Sequence, residues 1–400
     1  MKAIPKADNE NPSFYRASTL GPILLLSGIF FLTFIARVAF GPLMPRIEKQ
    51  MDIDHAQAGY IFLCLSAGYF TSLLCSGFVS LRICHRKTIA VSVSGAGIAL
   101  FCVSASNSLP VLAASVFLLG LFTGLYLPSG ISTLTSMVDP GNWGKALSIH
   151  ELAPNLGFVA APVLVEVGLA FFSWRAIPAT IGILSICAGI AVFFTPTASD
   201  CPGSPPDFTA IRKFISNTHH LKMIVLFGLG IGSTVGIYSM LPLYLTTGMG
   251  ISREAANYWI AAARGAGLIS ALASGWAADR FGPGLTMSIL LGLTGLATIG
   301  LGVASSPFTA ISLVFAQAFL STGFFPPAFA VLSATVSPEY RNLAVSFTIP
   351  FAFIFGSGIV PAAIGVCGKS GSFGAGISMV GAIIALGGFA SLLHERKKHE

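Results

Sequence analysis

Gly275-Trp276-Ala277-Ala278-Asp279-Arg280-Phe281-Gly282 is a short charged turn between two long apolar runs. A worn copy lies 198 positions earlier, Gly77-Phe78-Val79-Ser80-Leu81-Arg82-Ile83-Cys84, followed by His85-Arg86-Lys87. The match extends at the same offset to both sides: Tyr60 with Tyr258, Ser72 with Ser270, Ser76 with Ser274 and Thr88 with Thr286. Further along, Gly124-Leu-Tyr-Leu-Pro128 pairs with Gly323-Phe-Phe-Pro-Pro327, and Gly157 and Pro162 pair with Gly356 and Pro361. Self-similarity at a fixed spacing marks a duplicated unit, here of roughly 200 residues.

Composition names the solvent of that unit. Hydrophobic residues make up 54% of the chain and charged ones only 9%, against about 25% charged in a soluble domain. Too few polar residues remain to cover a water-facing surface, so lipid is the solvent that fits. A membrane helix needs roughly 20 apolar residues. Twelve runs qualify, at about 20–44, 57–80, 88–107, 109–133, 145–169, 174–194, 222–246, 254–278, 285–305, 308–333, 341–366 and 371–393. The longest polar stretch, 195–221, separates six runs from six where the repeat divides. The expected organisation is a polar tail over 1–19, a six-helix bundle over 20–194, a central loop over 195–221, a second bundle over 222–393 and a tail over 394–400. The fold class is therefore all-α, multi-pass, with parallel six-helix repeats.

Orientation follows from the basic residues. With both termini in the cytoplasm, fifteen Lys and Arg fall on the inner side. Arg46, Lys49, Arg175, Arg253 and Lys369 fall outside. That asymmetry places both ends in the cytoplasm. The polar Met1–Thr19 stretch reads as a cytoplasmic tail and not as a signal peptide. The formal charge of +7 is loop charge scattered over short turns, which excludes a nucleic-acid surface. The seven Cys form no CxxC and no cluster with His, so neither a disulfide framework nor a metal site is expected. Nor is there a Walker sequence or a Ser-His-Asp arrangement, so no cofactor and no enzyme activity is expected.

Six plus six spans, a central polar loop and G-x-x-x-D-R-x-G between spans 8 and 9 resemble the major facilitator superfamily over the whole chain. The resemblance implies alternating access around a midplane site. It also gives Gly77, Arg82, Gly275, Asp279 and Arg280 a conformational role, the Asp latching one face of the carrier. The first copy has Leu81 at the Asp position and Cys84 at the Gly position, so the latch is expected to be asymmetric. Within the superfamily, Arg37, Pro45, Gln57-Ala58-Gly59 and Gly68-Tyr69 look like the organic anion:cation symporters, although Ala36 stands where that group often has Asp. Gly157-Phe-Val-Ala-Ala-Pro162 is similar to the span 5 antiporter motif, and Gly157 and Pro162 join the conformational set; ordinary helix packing explains them as well.

Two arginines fall inside spans. Arg37 lies about 25 Å into span 1 by the 1.5 Å helical rise, and Arg264 lies near the middle of span 8. A lipid-facing Arg at such depth costs at least about 2.5 kcal/mol, so each must face a cavity or a partner. Guanidinium grips carboxylate in a bidentate fork, which makes both candidate anion contacts. The alternatives are interfacial snorkelling or a structural pair for Arg37, and an ion pair with Glu151 for Arg264. Neither has a basic counterpart at the repeat offset, where Val235 and Ser66 stand.

Glu151, His150 and Asn155 sit early in span 5, and Glu151 and Asn155 share a face at i, i+4. A membrane carboxylate beside a His is an arrangement for carrying protons; a gate ion pair is the alternative. Glu166, near the far end of span 5, is expected to pair with an outer Arg. Tyr69, Tyr126, Tyr238 and Gln317 are candidate cavity-lining groups, and the 32 Phe are read as lipid-facing bulk. The expected activity is transport of a small organic anion across the cytoplasmic membrane by a monomeric, proton-coupled carrier. The alternative is a proton-driven drug or metabolite exporter. A transporter-like receptor is disfavoured by the short tail after Leu393.

Overall fold

A computed structural model describes residues 17–139, 142–194, 218–334 and 341–396, of which 17–19, 341–346 and 396 as backbone only. Among the described residues every element is a helix. An apolar solvent dictates this, because a helix satisfies its backbone groups within itself. Ten helices are long and apolar enough to cross a bilayer. One of them, His55–Ala105, is two spans joined at a kink. Arg253–Phe281 is long enough as well, but carries Arg253, Glu254, Arg264, Asp279 and Arg280. Twelve spans result.

In order, span 1 is Leu20–Met51, spans 2 and 3 share His55–Ala105, and span 4 is Leu109–Ser136. Span 5 is Trp143–Phe171, span 6 Ala176–Phe194 and span 7 Thr218–Gly248. Span 8 is Arg253–Phe281. Span 9 is Pro283–Gly302, span 10 Pro307–Ala334, span 11 Phe347–Lys369 and span 12 Phe373–Glu395. Several helices outrun their apolar stretches. Span 1 continues to Met51 and span 7 starts at Thr218, because a helix keeps its internal hydrogen bonds when it emerges into water. The central loop therefore ends before 218, and the two tails begin one turn further out than expected. The basic residues Lys2, Lys6, Arg16, Arg212 and Lys213, with the rest of the 195–217 loop, lie outside the described residues.

The two copies of the charged turn have the same backbone. Gly282 has φ 91°, ψ 139°, and Cys84, its equivalent, has φ 66°, ψ 160°. Only glycine enters this region without a Cβ clash. A side chain held there costs about 1–3 kcal/mol. Cys84→Gly is accordingly expected to raise stability by about 1 kcal/mol after the greater chain entropy of glycine is subtracted. Thermal unfolding of the purified protein checks this; an unchanged or lowered midpoint counts against the strain.

The helices that face the middle are interrupted. Span 1 is broken at Ala39, span 4 at Leu125 and span 10 at Phe324. The last two breaks follow Gly124 and Gly323, matched points of the repeat. Span 7 carries π-helical turns at Gly232–Gly236 and Tyr244–Gly248, and span 11 one at Ile354–Ile359. Such turns redirect side chains and free carbonyls, and they recur at functional sites.

Bonds between the two halves are seen at the end where Asp52 caps span 1. Glu166 of span 5 bonds Arg253 at 3.1 Å and Asn257, both of span 8, and Asn257 also donates to the Pro42 carbonyl. The expected outer Arg partner of Glu166 is thus Arg253. Lys369 bonds Asp54 at 3.0 Å, while the Gln57 backbone amide and Lys369 together hold the Asp54 carboxyl below the usual carboxylate range. With its pKa depressed in the folded protein, this exposed contact persists at neutral pH and is lost only as pH falls through that lowered value. Gly59 lets span 2 close on span 11, where a Cβ would meet Ala362 Cα at 2.8 Å.

That last contact revises one resemblance. Asp54 and Gln57 form a capping box, with Gln57 N to Asp54 Oδ1 at 2.8 Å and Asp54 N to Gln57 Oε1 at 2.9 Å. The Gln-x-Gly stretch that looked like an anion symporter signature therefore has a sufficient structural cause: a helix start followed by a close helix crossing.

Candidate functional site

A central cavity lies where the broken spans meet. It is narrow, about 60 Å³, room for a few waters and far below the 300–1,000 Å³ or so of a ligand-filled pocket. Both intramembrane arginines line it, with Tyr69 and Tyr238. So do Phe34, Phe62, Phe158 and Phe353, which corrects the reading of phenylalanine as lipid-facing bulk. Among its lining residues there is no Asp and no Glu.

Each guanidinium lies against aromatic faces. Arg37 Cζ is 4.1 Å from the Tyr69 ring centroid, 5.3 Å from Phe34 and 5.9 Å from Phe353. Arg264 Cζ is 3.8 Å from Phe158 and 4.0 Å from Tyr238. Polar partners are sparse. Arg37 Nε donates to the Thr33 carbonyl at 3.4 Å. Arg264 is only 4% exposed; its Nη2 donates to the Thr234 carbonyl, which the span 7 π-turn presents, and its Nε has no partner. The expected ion pair between Arg264 and Glu151 is not formed. Glu151 lies instead beside His150, with its Oε1 3.6 Å from Nδ1.

Span 5 builds a second polar group next to the cavity. His150 is fully buried, and its ring stacks on Phe30 at 4.5 Å. Its Nε2 is 3.0 Å from the Tyr126 hydroxyl, which donates its own hydrogen to the Leu26 carbonyl at 2.6 Å. The tyrosine proton is thus committed, and Nε2–H must be the donor to the phenol oxygen. The neutral ring therefore keeps its lone pair at Nδ1, an atom with no hydrogen-bond partner that faces the half-exposed Glu151. Glu151 lies within electrostatic reach of both Tyr69 and Tyr126. Asn155 shares the Glu151 face as expected, and its amide donates to the Glu151 backbone carbonyl at 2.9 Å.

Two lining expectations are corrected. Tyr126 is fully buried and holds His150 away from the cavity wall. Gln317 is also outside the lining: its amide donates to the Ser233 carbonyl at 2.8 Å, anchoring span 10 to the π-turn of span 7. Tyr238 stays in the lining, with its hydroxyl 3.3 Å from the Val314 carbonyl. Gly157 and Pro162 lie where span 5 meets span 1. A Cβ on Gly157 would come within 2.7 Å of the Phe34 ring, and Pro162 lines the cavity.

The latch expectation is not met in this conformation. Asp279 is exposed and makes no ion pair among the described residues. Arg280 lies near the rings of Trp276 and Phe281, at 5.7 and 5.8 Å. Arg82 is exposed, Gly77 sits within span 2 ahead of the Cys84 kink, and a Cβ on Gly275 would meet nothing within 4 Å. The sequence reading missed Phe158, although Glu151, Asn155, Phe158 and Pro162 form an i, i+4, i+7, i+11 stripe along span 5. It also missed Ser66 and Ser357, whose hydroxyls meet at 2.9 Å across the two halves.

Comparisons with known proteins agree with this architecture. The bacterial homolog of the human lysosomal transporter Spinster, in an inward-facing and occupied conformation, superposes with a TM-score of 0.81 at 15% identity, covering 95% of this chain and 97% of that one. A D-xylose-proton symporter gives 0.76 at 13% identity, covering 94% and 97%. In sequence, the multidrug resistance protein MdtL of Escherichia fergusonii is 26% identical over 327 residues, 79% of this chain and 81% of that protein. The tetracenomycin C resistance and export protein of Streptomyces glaucescens is 24% identical over 163 residues, 40% of this chain and 30% of that protein. The family profile matches residues 26–309 and 223–400. With its twelve spans in two repeats, the chain belongs to the Major Facilitator Superfamily of membrane transporters.

Proposed function

We propose that the chain is a proton-driven exporter of small organic molecules that carry an acid group, acting in the cytoplasmic membrane with both termini inside. The observation that carries the acid group is the pair of guanidiniums in a central cavity without a lining carboxylate. Export is supported by the likeness to a multidrug resistance protein along most of both chains and by the Gly157–Pro162 stretch. This moves the reading from anion uptake by symport towards efflux by antiport. The arginines fit both directions, so direction must be measured.

Coupling fits the geometry of span 5. His150 Nδ1 and the Glu151 carboxylate hold one proton between them. Glu151 is the exposed member and exchanges it with water, whereas His150 is sealed behind it. A cargo anion on Arg264 or Arg37 lowers the positive field in the cavity and so favours proton uptake at this pair.

Inverted membrane vesicles test direction and charge together. In vesicles acidified inside, the protein is expected to accumulate an organic acid and to lose it when the gradient is collapsed. Accumulation of ethidium, a permanent cation, without accumulation of acids would overturn the assignment. Acid accumulation only in right-side-out vesicles would establish uptake instead.

A further inference from the structure

The two arginines are incomplete as they stand. A guanidinium has five N–H donors. Arg264, almost wholly buried, donates to one carbonyl and leaves Nε unpartnered. Arg37 spends one long bond on Thr33. Buried donors without acceptors are costly and call for an acceptor that arrives from outside.

What replaces the missing acceptors is aromatic surface. The planar Arg264 guanidinium lies over both Phe158 and Tyr238 at stacking distance. A guanidinium and an arene are flat π-systems of similar thickness, and both pack on aromatic faces. The space that admits one against Phe158 and Tyr238 therefore suits the other. Arg37 repeats the pattern against Tyr69 and Phe353. The rest of the wall, including Leu65, Pro42 and Ile260, offers apolar contact without a competing acid.

From this arrangement we infer that the cargo is a flat aromatic acid, with its ring on Phe158 and Tyr238 and its carboxylate in the fork of Arg264. The arginine moves off the rings and takes the carboxylate as the ring enters. The contraction of the cavity to about 60 Å³ is then the empty state, in which the guanidiniums occupy the cargo's place. This inference rests on the reading of the cavity as an anion site. It adds the requirement for an aromatic ring, which that reading does not contain.

Equilibrium binding to the purified protein in lipid nanodiscs separates the two requirements, independently of transport direction. The probes are 2-naphthoate, decalin-2-carboxylate (the same acid on a saturated ring system), 2-naphthamide and 2-naphthylmethylammonium, each followed by thermal shift and by calorimetry. Naphthoate is expected to bind, with the decalin acid roughly three- to tenfold weaker and the amide and ammonium not binding. Phe158→Leu is expected to bring naphthoate down to the level of the decalin acid while leaving the decalin acid unchanged. Tyr238→Leu gives the same comparison should Phe158→Leu unfold. Equal affinity for the two acids in the native protein overturns the aromatic inference alone and leaves the anion site standing. Binding of the ammonium, or of neither acid, overturns both.

Discussion

Arg264→Ala is expected to abolish acid binding while the purified protein unfolds at the same temperature or a higher one. The two halves of that result come from one cause. In the empty carrier the guanidinium is buried with most of its donors unpaired, so its removal relieves a desolvation cost and forfeits little. An isolated charge held in this way adds no stability that an apolar side chain would not. With cargo present the same group is one side of a desolvated charge pair. Truncating one partner of such a pair costs about 2–5 kcal/mol, which for transport means a loss on the order of 100-fold in affinity. Arg264→Lys separates charge from shape, since lysine keeps the charge but neither forks nor stacks, and should fall between the two. A native-like affinity in the alanine protein would remove Arg264 from the site.

Glu151→Gln is expected to leave exchange of cargo for cargo intact while accumulation driven by a proton gradient falls to the undriven level. His150 cannot reach water by itself, because Phe30 covers its face and Tyr126 occupies Nε2. Only the Nδ1 side remains, and Glu151 stands there. The glutamine preserves size and hydrogen bonding but cannot release a proton. Counterflow and gradient-driven uptake, measured on the same proteoliposome preparation, distinguish a broken coupling from a broken carrier. Gradient-driven accumulation that survives in the glutamine protein would place coupling elsewhere.

Much of this architecture was legible in the sequence, for physical reasons. The solvent was legible because a chain with 9% charged residues has nothing to show to water. The duplication was legible because a turn such as Gly275–Gly282 must recur wherever two spans meet in the same way. Even the worn copy kept its backbone: Cys84 adopts a glycine-like φ although glycine is gone. Depth along a span placed Arg37 and Arg264 correctly in the interior.

Partner choice was not legible. Whether Arg264 meets Glu151 or the rings of Phe158 and Tyr238 depends on the rotation of spans 5 and 8 about their axes, and hydropathy does not encode it. Gln317 and Tyr126 failed as lining residues for the same reason. They carry polar groups that the fold uses up on the Ser233 and Leu26 carbonyls. Phe158 was within reach, since its helical stripe with Glu151 and Asn155 was on the page, but abundance of phenylalanine hid it.

The arginine–ring contacts have a consequence for energy conservation. Arg264 of the second half lies over Phe158 of the first, and Arg37 of the first lies near Phe353 of the second. These crossed contacts clasp the unloaded carrier at mid-membrane. An exporter that rocked freely while empty would let protons slip inward with no cargo moved out, and would dissipate the gradient it runs on. Tying the two halves together through the very groups that cargo must displace makes idle turnover slow, and makes arrival of cargo the event that releases the next cycle.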